Sequence, residues 1–496
     1  MTYVLAIDQG TTGSTCLMVG ADGRVGGRGY REITQHYPRP GWVEHDAEEI
    51  LERTLAAARE AVSHAGESPV AIGITNQRET IVLWDRATGK AVGRAIVWQD
   101  RRTAARCAEL ASTADRLAAL TGLVVDPYFS ATKLEWMLRD PAIRGRAERG
   151  ELAAGTIDSW LIWHLTGGTT HATDPTNASR TQLFDIEALA WSDELCTLFS
   201  IPQALLPDVR PSSGDFGRTR DSLFGRPVPI AGVAGDQQAA LFGQGCWRRG
   251  DAKCTYGTGA FLLLNTGSDR PAPGGGLLTT IACDAAGGPA YALEAAIFIA
   301  GAAVQWLRDE LGIIQTAAET ETLARSVDST GGVYFVPALV GLGAPHWEPQ
   351  ARGAILGITR GTNRAHLARA ALEAMAYSTH DVLEMMIANG GSQSELGSAP
   401  LRVDGGATAN DWLLQFQADV LGLTVERPDI VDTTALGAAG LAGLAAGIWA
   451  DSDAFLASRK FTSFAPGDGA AAARAGVKDW RRAVRATLAW ARDGDT

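Results

Sequence analysis

The chain opens on an unbroken apolar run, Val4 to Ile7, that ends in Asp8. Continuous rather than alternating hydrophobicity predicts a strand buried on both faces. Gly10-Thr11-Thr12-Gly13 follows as a turn, Cys16 to Val19 reads as the returning strand, and Ala21-Asp22-Gly23 marks the next hairpin. From Asp46 to Ala65 the period changes to that of a helix, with Asp46 as N-cap and Glu48 and Glu49 in the first turn. Val70 to Thr75 and Ile81 to Trp84 read as strands around the loop Asn76-Gln77-Arg78-Glu79, and Ala95 to Trp98 as a further short strand. Ile230 to Ala234 is another apolar strand, closed by Gly235-Asp236, and a helix starts at Gln237.

At Gly250-Asp251 a second strand–turn–strand unit begins: Ala252 to Tyr256, Gly257-Thr258-Gly259, then Ala260 to Leu264. It echoes the unit around Asp8. The rest of this half is helix-rich, with helical periodicity at Ala300 to Leu311, Arg364 to Ala388, Asn410 to Leu421 and Thr434 to Trp449. Strands are expected at Val333 to Val336 and Leu401 to Val403. A chain of 496 residues exceeds one ordinary domain. The echo divides it into two similar α/β domains, 1–249 and 250–496. No long linker lies between them, which favours two units facing each other across a cleft.

Composition narrows the class of partner. Hydrophobic residues make up 46% and charged residues 20%, enough for large cores. A net charge of −12, with only short basic pairs at Arg101–Arg102 and Arg248–Arg249, argues against a nucleic-acid surface. The six cysteines show no C-x-x-C spacing, so neither a zinc site nor a redox motif is expected. The blandest stretch, Ala435 to Trp449, is too short for a bilayer, which needs about 20 residues. Its Gly443-x-x-x-Gly447 spacing is read as close helix packing in a core. The first residues enter a strand directly, so no signal peptide is expected and a cytoplasmic location is the default.

Five short segments carry candidate chemistry. In Asp8-Gln9-Gly10-Thr11-Thr12-Gly13 the glycines permit a turn whose amides face phosphate oxygens, and Asp8 is placed to hold Mg²⁺. It is not a Walker A loop, because no Gly-Lys-Ser/Thr follows. Gly257-Thr258-Gly259 is a second such turn. In Val403-Asp404-Gly405-Gly406-Ala407-Thr408-Ala409-Asn410 the paired glycines allow close approach of a flat ligand, and Asn410 either caps a helix or binds a base or ribose. Asp236, between a buried strand and a helix, is either a cap or a general base for phosphoryl transfer. Arg78 and Glu79 set a donor fork beside an acceptor, able to read two hydroxyls of a polyol. Trp98 and Phe261 are candidates for an apolar wall. Taken singly, each segment has a plain structural reading; together they describe an ATP-dependent kinase of a small polyol.

The segments DQGTT, YPRPGWVEHD, GITNQRET, VWQDRRTA, DPYFSATK, DPTNASRT, AGDQQAALFGQ, YGTGAF, VPALVGLGAPHW, ARGAILGITRG and RVDGGATAN, in this order, resemble the FGGY family of carbohydrate kinases. GITNQRET and DPYFSATK are similar to its glycerol-phosphorylating members. The resemblance implies two actin-like (ribonuclease H-like) domains, each a five-stranded mixed sheet with flanking helices. It implies that glycerol is held by Arg78, Glu79, Trp98, Tyr128, Asp236, Gln237 and Phe261. It implies a nucleotide against Thr11, Thr12, Gly13, Thr258, Gly301, Gln305, Gly406 and Asn410, with Mg²⁺ near Asp8 and Asp236. The implied reaction converts ATP and glycerol to ADP and sn-glycerol 3-phosphate, in a homodimer or homotetramer. Rival readings are a kinase of another polyol or ketose, and a non-enzymatic actin-like ATP-binding protein, which would need no polyol loop.

Three departures from the family stand out. Thr15 replaces the arginine that usually follows the first phosphate turn. Asp221 to Arg226 contains no histidine of the kind phosphorylated in some relatives, and no glycine-rich, arginine-bearing loop for fructose 1,6-bisphosphate. The Ala-rich tail after Phe461 does not match the segment through which a sugar-transport protein inhibits some members.

Overall fold

The computed structural model describes residues 2–272, 274–390 and 399–493. Five strands form the first sheet: β1 (Tyr3–Gln9), β2 (Gly13–Gly20), β3 (Val25–Glu32), β4 (Ala71–Asn76) and β5 (Ile230–Gly235). Their order is β5-β4-β1-β2-β3, with β1 to β3 antiparallel and β4 and β5 running parallel to β1. The second sheet holds β6 (Ala252–Tyr256), β7 (Ala260–Gly267), β8 (Leu278–Cys283), β9 (Pro289–Ile297), β10 (Leu401–Asp404), β11 (Val425–Pro428) and β12 (Phe461–Phe464). Its order is β8-β9-β7-β6-β10-β11-β12. The stretch β9-β7-β6-β10-β11 repeats the first sheet's topology, with β10 parallel to β6 and β11 parallel to β10. The expected five-stranded unit is thus present twice. The second copy is a seven-stranded sheet, because β8 and β12 extend its two edges.

The unbroken hydrophobicity of β1 has a direct cause. Leu5 and Ile7 face one core and Val4 and Ala6 another. The first core is closed by α1 (Ala47–Ala65), whose Asp46 accepts from the Glu49 amide as N-cap. The helix lies against β3 so closely that a Cβ on Gly27 or Gly29 would stand 2.0 or 2.1 Å from a helix carbonyl oxygen. The second core is closed by α2 (Asp236–Gly243) and by α6 (Thr433–Ala445), a helix from the far end of the chain. Between them in sequence, α3 (Gly301–Asp309), α4 (Arg364–Asn389) and α5 (Asp411–Leu421) cover the second sheet, together with α7 (Ala470–Asp493) from the Ala-rich tail. Residues 81–229, together with Glu44–His45, add a four-stranded sheet built from that strand, Ile81–Asp85, Ala95–Ile96 and Leu152–Thr156, with short helices around it. The division at 249/250 separates the two sheets in chain order, while in space α6 lies on the first sheet. All six cysteines are buried and free. Among the described residues, no helix is long and apolar enough to cross a membrane.

The Gly/Ala stripe of α6 is a backbone contact surface. A Cβ on Gly437 would stand 1.8 Å from the carbonyl oxygen of Ala239, one on Gly243 would stand 2.1 Å from that of Thr433, and one on Gly73 2.0 Å from that of Ala438. The helix ends at Ala445, short of the expected Trp449. The chain reverses at Gly447 (φ 68°), and the Trp449 ring returns onto Gly443. So Gly443 is closely packed while Gly447 serves the turn. Gly437→Ala is expected to destabilise the protein by about 1–3 kcal/mol, since the overlap is with backbone that cannot rotate away. Thermal unfolding checks this, and an unchanged Tm would show that α2 and α6 are not held at this distance.

Candidate active site

The two sheets present their strand ends to each other. In the first, Asp8 near the end of β1 is in register with Thr75 of β4, and Gly235 of β5 with Asn76. The loop after β4 carries Arg78 and Glu79, and Asp236 opens α2 directly after β5. This is where ligands collect in α/β sheets, outside the carboxyl ends of parallel strands.

Arg78 and Glu79 are buried, so each needs partners. Arg78 Nε lies 3.2 Å from Asp236 Oδ1. Its fork is not free for a ligand: Nη1 and Nη2 donate to the two oxygens of Glu294 at 2.6 and 2.9 Å. Glu79 has φ of 61°, a left-handed conformation rare for a branched-off side chain of this length, and accepts from Arg180 Nε at 2.7 Å. Burial raises the Glu79 carboxyl above its ordinary range, while Arg78 and Arg180 pull it back. Burial likewise raises Asp236, and Arg78 and Lys253 oppose that. Lys253 Nζ donates to Gln237 Oε1 and to Thr255 Oγ1, which fixes the Gln237 amide beside Asp236.

Trp98 and Tyr128 meet edge to face with centroids 5.5 Å apart and form one wall. Trp98 Nε1 donates to Thr11 Oγ1 at 2.9 Å, joining that wall to the first glycine turn. Behind the wall, Lys133 Nζ donates to the carbonyls of Tyr128 (2.8 Å) and Trp98 (3.3 Å). Phe261 lies apart on β7, half-buried, opposite Thr255.

The turn at Gly10–Gly13 is closed by the Gly10 amide donating to the Gly13 carbonyl at 2.8 Å. Gln35 and Gln77 brace it, donating to the carbonyls of Thr11 (2.7 Å) and Gly10 (3.3 Å), and His45 sits between the two glutamines. Burial lowers His45 to about 4, so the ring is neutral in this chain of hydrogen bonds. Burial, then the carboxylates of Asp236 and Asp432, push Asp8 up to about 8. Asp8 is half-buried and feels two further acids, but among the described residues these three carboxylates do not converge into a ready cation site.

In the second sheet, Gly257 and Gly259 close the matching turn with a bond of 2.8 Å. Gly405 has φ of 91°, and a Cβ there would stand 2.2 Å from the Tyr256 carbonyl oxygen, so this position needs glycine. Beside these turns is a cavity of about 490 Å³ lined by Thr258, Gly301, Gln305, Gly406 and Asn410, with Arg308 and Glu321 at its rim. Asn410 caps α5 by accepting from the Leu413 amide, so its Oδ1 is committed to the helix; its Nδ2 donates to Thr320. Five of the eight expected nucleotide contacts therefore share one cavity. Thr11, Thr12 and Gly13 do not line it and lie on the first sheet's turn.

Arg180, Glu294, Lys253, Lys133 and Asp432 were not singled out by sequence reasoning. A signal existed for three of them. Lys253 and Glu294 are lone charges in otherwise apolar strands, and Arg180 is the one charge in Thr176–Gln182.

Residues 3–243 match the FGGY family of carbohydrate kinases, N-terminal domain, and residues 252–446 match its C-terminal domain. The chain is 54% identical over 500 residues to a glycerol kinase of Thermus brockianus, with 100% of each chain covered. It is 55% identical over 497 residues to a glycerol kinase of Dechloromonas aromatica, covering 99% of this chain and 98% of the other. The crystal structure of Plasmodium falciparum glycerol kinase with ADP is similar at a TM-score of 0.93 and 35% identity, over 98% of each chain. A xylulose kinase of Lactobacillus acidophilus shares the fold at a TM-score of 0.87 and 19% identity, over 99% of each chain.

Lys133 gives this site a pH signature. Burial lowers its amine from 10.5 to about 7, against the pull of Glu79, Asp100 and Asp126. The unfolded chain therefore holds this proton to higher pH than the folded one. The penalty of burying the charge is felt in full below about pH 7 and is relieved as the pH rises towards 10.5. The stability difference between wild type and Lys133→Met should shift in favour of wild type across that window. Denaturant titrations at several pH values measure it, and a flat difference would sink the assignment.

Proposed function

The chain belongs to the FGGY family of carbohydrate kinases and is a phosphotransferase; we propose that it transfers the γ-phosphoryl group of ATP to a terminal hydroxyl of glycerol, giving ADP and sn-glycerol 3-phosphate. The substrate follows from full-length identity above 50% to glycerol kinases. The observation that carries the chemistry is the double company of Asp236. Arg78 Nε lies 3.2 Å away, and Asp8 is near enough for Asp236 to oppose its ionisation. A base placed between a hydroxyl-reading group and a phosphate-facing acid is where an attacking alcohol must lose its proton.

In this reading Asp236 accepts the proton of the hydroxyl as its oxygen attacks the phosphorus in line. Arg78 and Lys253 favour the ionised carboxylate and partly offset the rise that burial causes. Gln237, held by Lys253, presents its amide to the polyol; Trp98, Tyr128 and Phe261 cover the carbon chain, and Arg78 and Glu79 read the hydroxyls. The nucleotide lies in the cavity of Thr258, Gly301, Gln305, Gly406 and Asn410, with its phosphates towards Thr11, Thr12 and Gly13. Asp8 and Asp236 would hold Mg²⁺, whose chemistry is to neutralise charge on the phosphate oxygens; the raised Asp8 carboxyl, opposed by Asp236 and Asp432, would be relieved by such an ion. The polyol lies mainly against 1–249, with Phe261 added from 250–496, and the nucleotide mainly against 250–496, with its phosphates reaching the turn of 1–249. A cytoplasmic location and a homodimer or homotetramer accompany the family assignment.

Thr15 stands in register with Asp8 on β2, at the position where the family resemblance implies an arginine. The phosphate side of this chain therefore depends on backbone amides and the cation.

Glycerol-dependent ADP release, run beside xylulose, ribulose and erythritol, tests the substrate. A preference for one of the others would replace glycerol in this reading. Asp236→Asn should lower turnover by about 10²–10⁴-fold with polyol binding retained; near-normal turnover would remove Asp236 as the base. A Cβ at Gly406 meets no neighbour, so Gly406→Val should fold as wild type while its side chain fills the nucleotide cavity. The KM for ATP should rise with Tm unchanged; an unaltered KM would place the nucleotide elsewhere.

A further inference from the structure

The polyol-reading dipeptide is oriented by two residues outside it. Arg180 is wholly buried, donating through Nε to Glu79 Oε1 at 2.7 Å and through Nη2 to Glu294 Oε1 at 3.1 Å. Glu294, on β9 of the second sheet, returns both of its oxygens to Arg78 at 2.6 and 2.9 Å. Arg78 Nε closes the circuit 3.8 Å from Glu79. Four buried charges of alternating sign thus form a ring, Glu79–Arg180–Glu294–Arg78, and only Arg78 and Glu79 belong to the hydroxyl-reading loop.

The geometry restricts what each member can do. Glu294 and Gln238 Oε1 (3.2 Å) take both protons of Arg78 Nη1, and Glu294 takes one of Nη2. What remains for a ligand is the second Nη2 proton and the Nε edge that faces Asp236. Arg180 clamps a Glu79 whose backbone is already in a left-handed conformation, and Ser130 Oγ donates to its carbonyl at 2.9 Å. The rings of Phe129 and Tyr128 lie 5.3 and 5.7 Å from the Arg180 guanidinium, so the same cation backs the aromatic wall.

We propose that Arg180 and Glu294 are positioning residues for polyol recognition, each fixing one half of the Arg78–Glu79 pair, with Glu294 delivered from the second sheet. The polyol site is then not contained in the first half of the chain: its donor edge is aimed by an acid from across the cleft. Burial would raise the Glu294 carboxyl, but Arg180 and Arg78 outweigh it and hold it down to about 2, so Glu294 stays charged at any working pH. This inference rests on the polyol-kinase reading and adds to it two residues that touch neither substrate.

Glu294→Gln keeps the shape and removes the charge that both arginines share. The KM for the polyol that wild type phosphorylates best should rise about tenfold or more. The KM for ATP should stay within about twofold, since the nucleotide cavity contains neither residue. Glu294→Asp, which restores the charge, should recover part of the loss. Arg180→Lys keeps a charge but cannot reach Glu79 and Glu294 together, and should show the same polyol-selective rise; it also stands as the test if Glu294→Gln does not fold. Polyol KM values unchanged in these variants would overturn the proposal. So would a fall in kcat with both KM values unmoved, the signature of a merely structural staple. Wild type measured in the same assay separates the two ideas. If it prefers another polyol, the glycerol reading fails while the ring is judged on that polyol; if it phosphorylates none, both fail.

Discussion

The site depends on one close contact, that of α6 with α2 and β4. Backbone meets backbone there, with Gly437 over Ala239, Gly243 over Thr433 and Gly73 under Ala438. Side chains of any size would push the helices apart, so the Gly/Ala composition of α6 sets the distance. Asp236 is the first residue of α2, and Asp432 immediately precedes α6. The contact therefore places in a single step Asp236, the proposed base, and Asp432, the two acids that oppose the ionisation of Asp8. It also ties the far end of the chain to the first sheet, which gives the two repeated sheets a fixed common edge rather than a free linker. Ser179 with Thr280 at 3.2 Å, and Gln238 with the Ile281 carbonyl at 3.1 Å, continue that edge towards the polyol pocket.

Burying charge at that edge is costly unless every group is paired. The alternation of Arg78, Arg180, Glu79 and Glu294 sets each charge against one of opposite sign, although Arg180 Nη1 is buried without a hydrogen-bond partner. Asp236 joins through Arg78, and Lys253 adds a cation whose pKa burial lowers and whose partners include Asp236. Such a cluster is a poor source of stability compared with packed apolar residues. Its effect is orientation: each guanidinium is held at several nitrogens, so the donor edge left for a ligand has one direction. Removing any member would strand its neighbours as buried unpaired charges, and the members therefore act as a unit.

The sequence made the strand ends legible because each ends in glycine or an acid. Strand, glycine turn, strand could be read twice from local pattern, and the helix from Asp46 to Ala65 from its cap and period. The residues that were missed act over distance. Arg180 reaches Glu79 across 101 positions and Glu294 reaches Arg78 across 216, separations at which local periodicity carries no information. A lone Glu within the apolar β9, or a lone Lys in β6, announces a buried partner without saying which. The seven-stranded second sheet escaped for a related reason: β8 and β12 are edge additions, and nothing in their pattern distinguishes them from connecting segments. The end of α6 was overrun because Ile448 and Trp449 continue the apolar run, although Gly447 had already turned the chain.

The two sides of Asp236 differ in charge, and that difference orders the chemistry. On the polyol side the ring is neutral and complete without a ligand, so a neutral alcohol meets dipoles already fixed and need not supply a counter-charge. On the other side Asp8 is lifted to about 8 by burial, then by Asp236 and Asp432. An anionic phosphate alone would add to the negative charge felt by Asp8; a phosphate carrying its own cation would offset it. Asp236 and Asp432 have arginine partners in Arg78 and Arg28, whereas Asp8 faces Thr15 on the neighbouring strand. In the proposed mechanism the same strand ends would favour a neutral partner on one side and a metal-bound polyanion on the other. That asymmetry, more than any single hydrogen bond, would let one carboxylate serve as base towards the alcohol while facing the group the alcohol attacks.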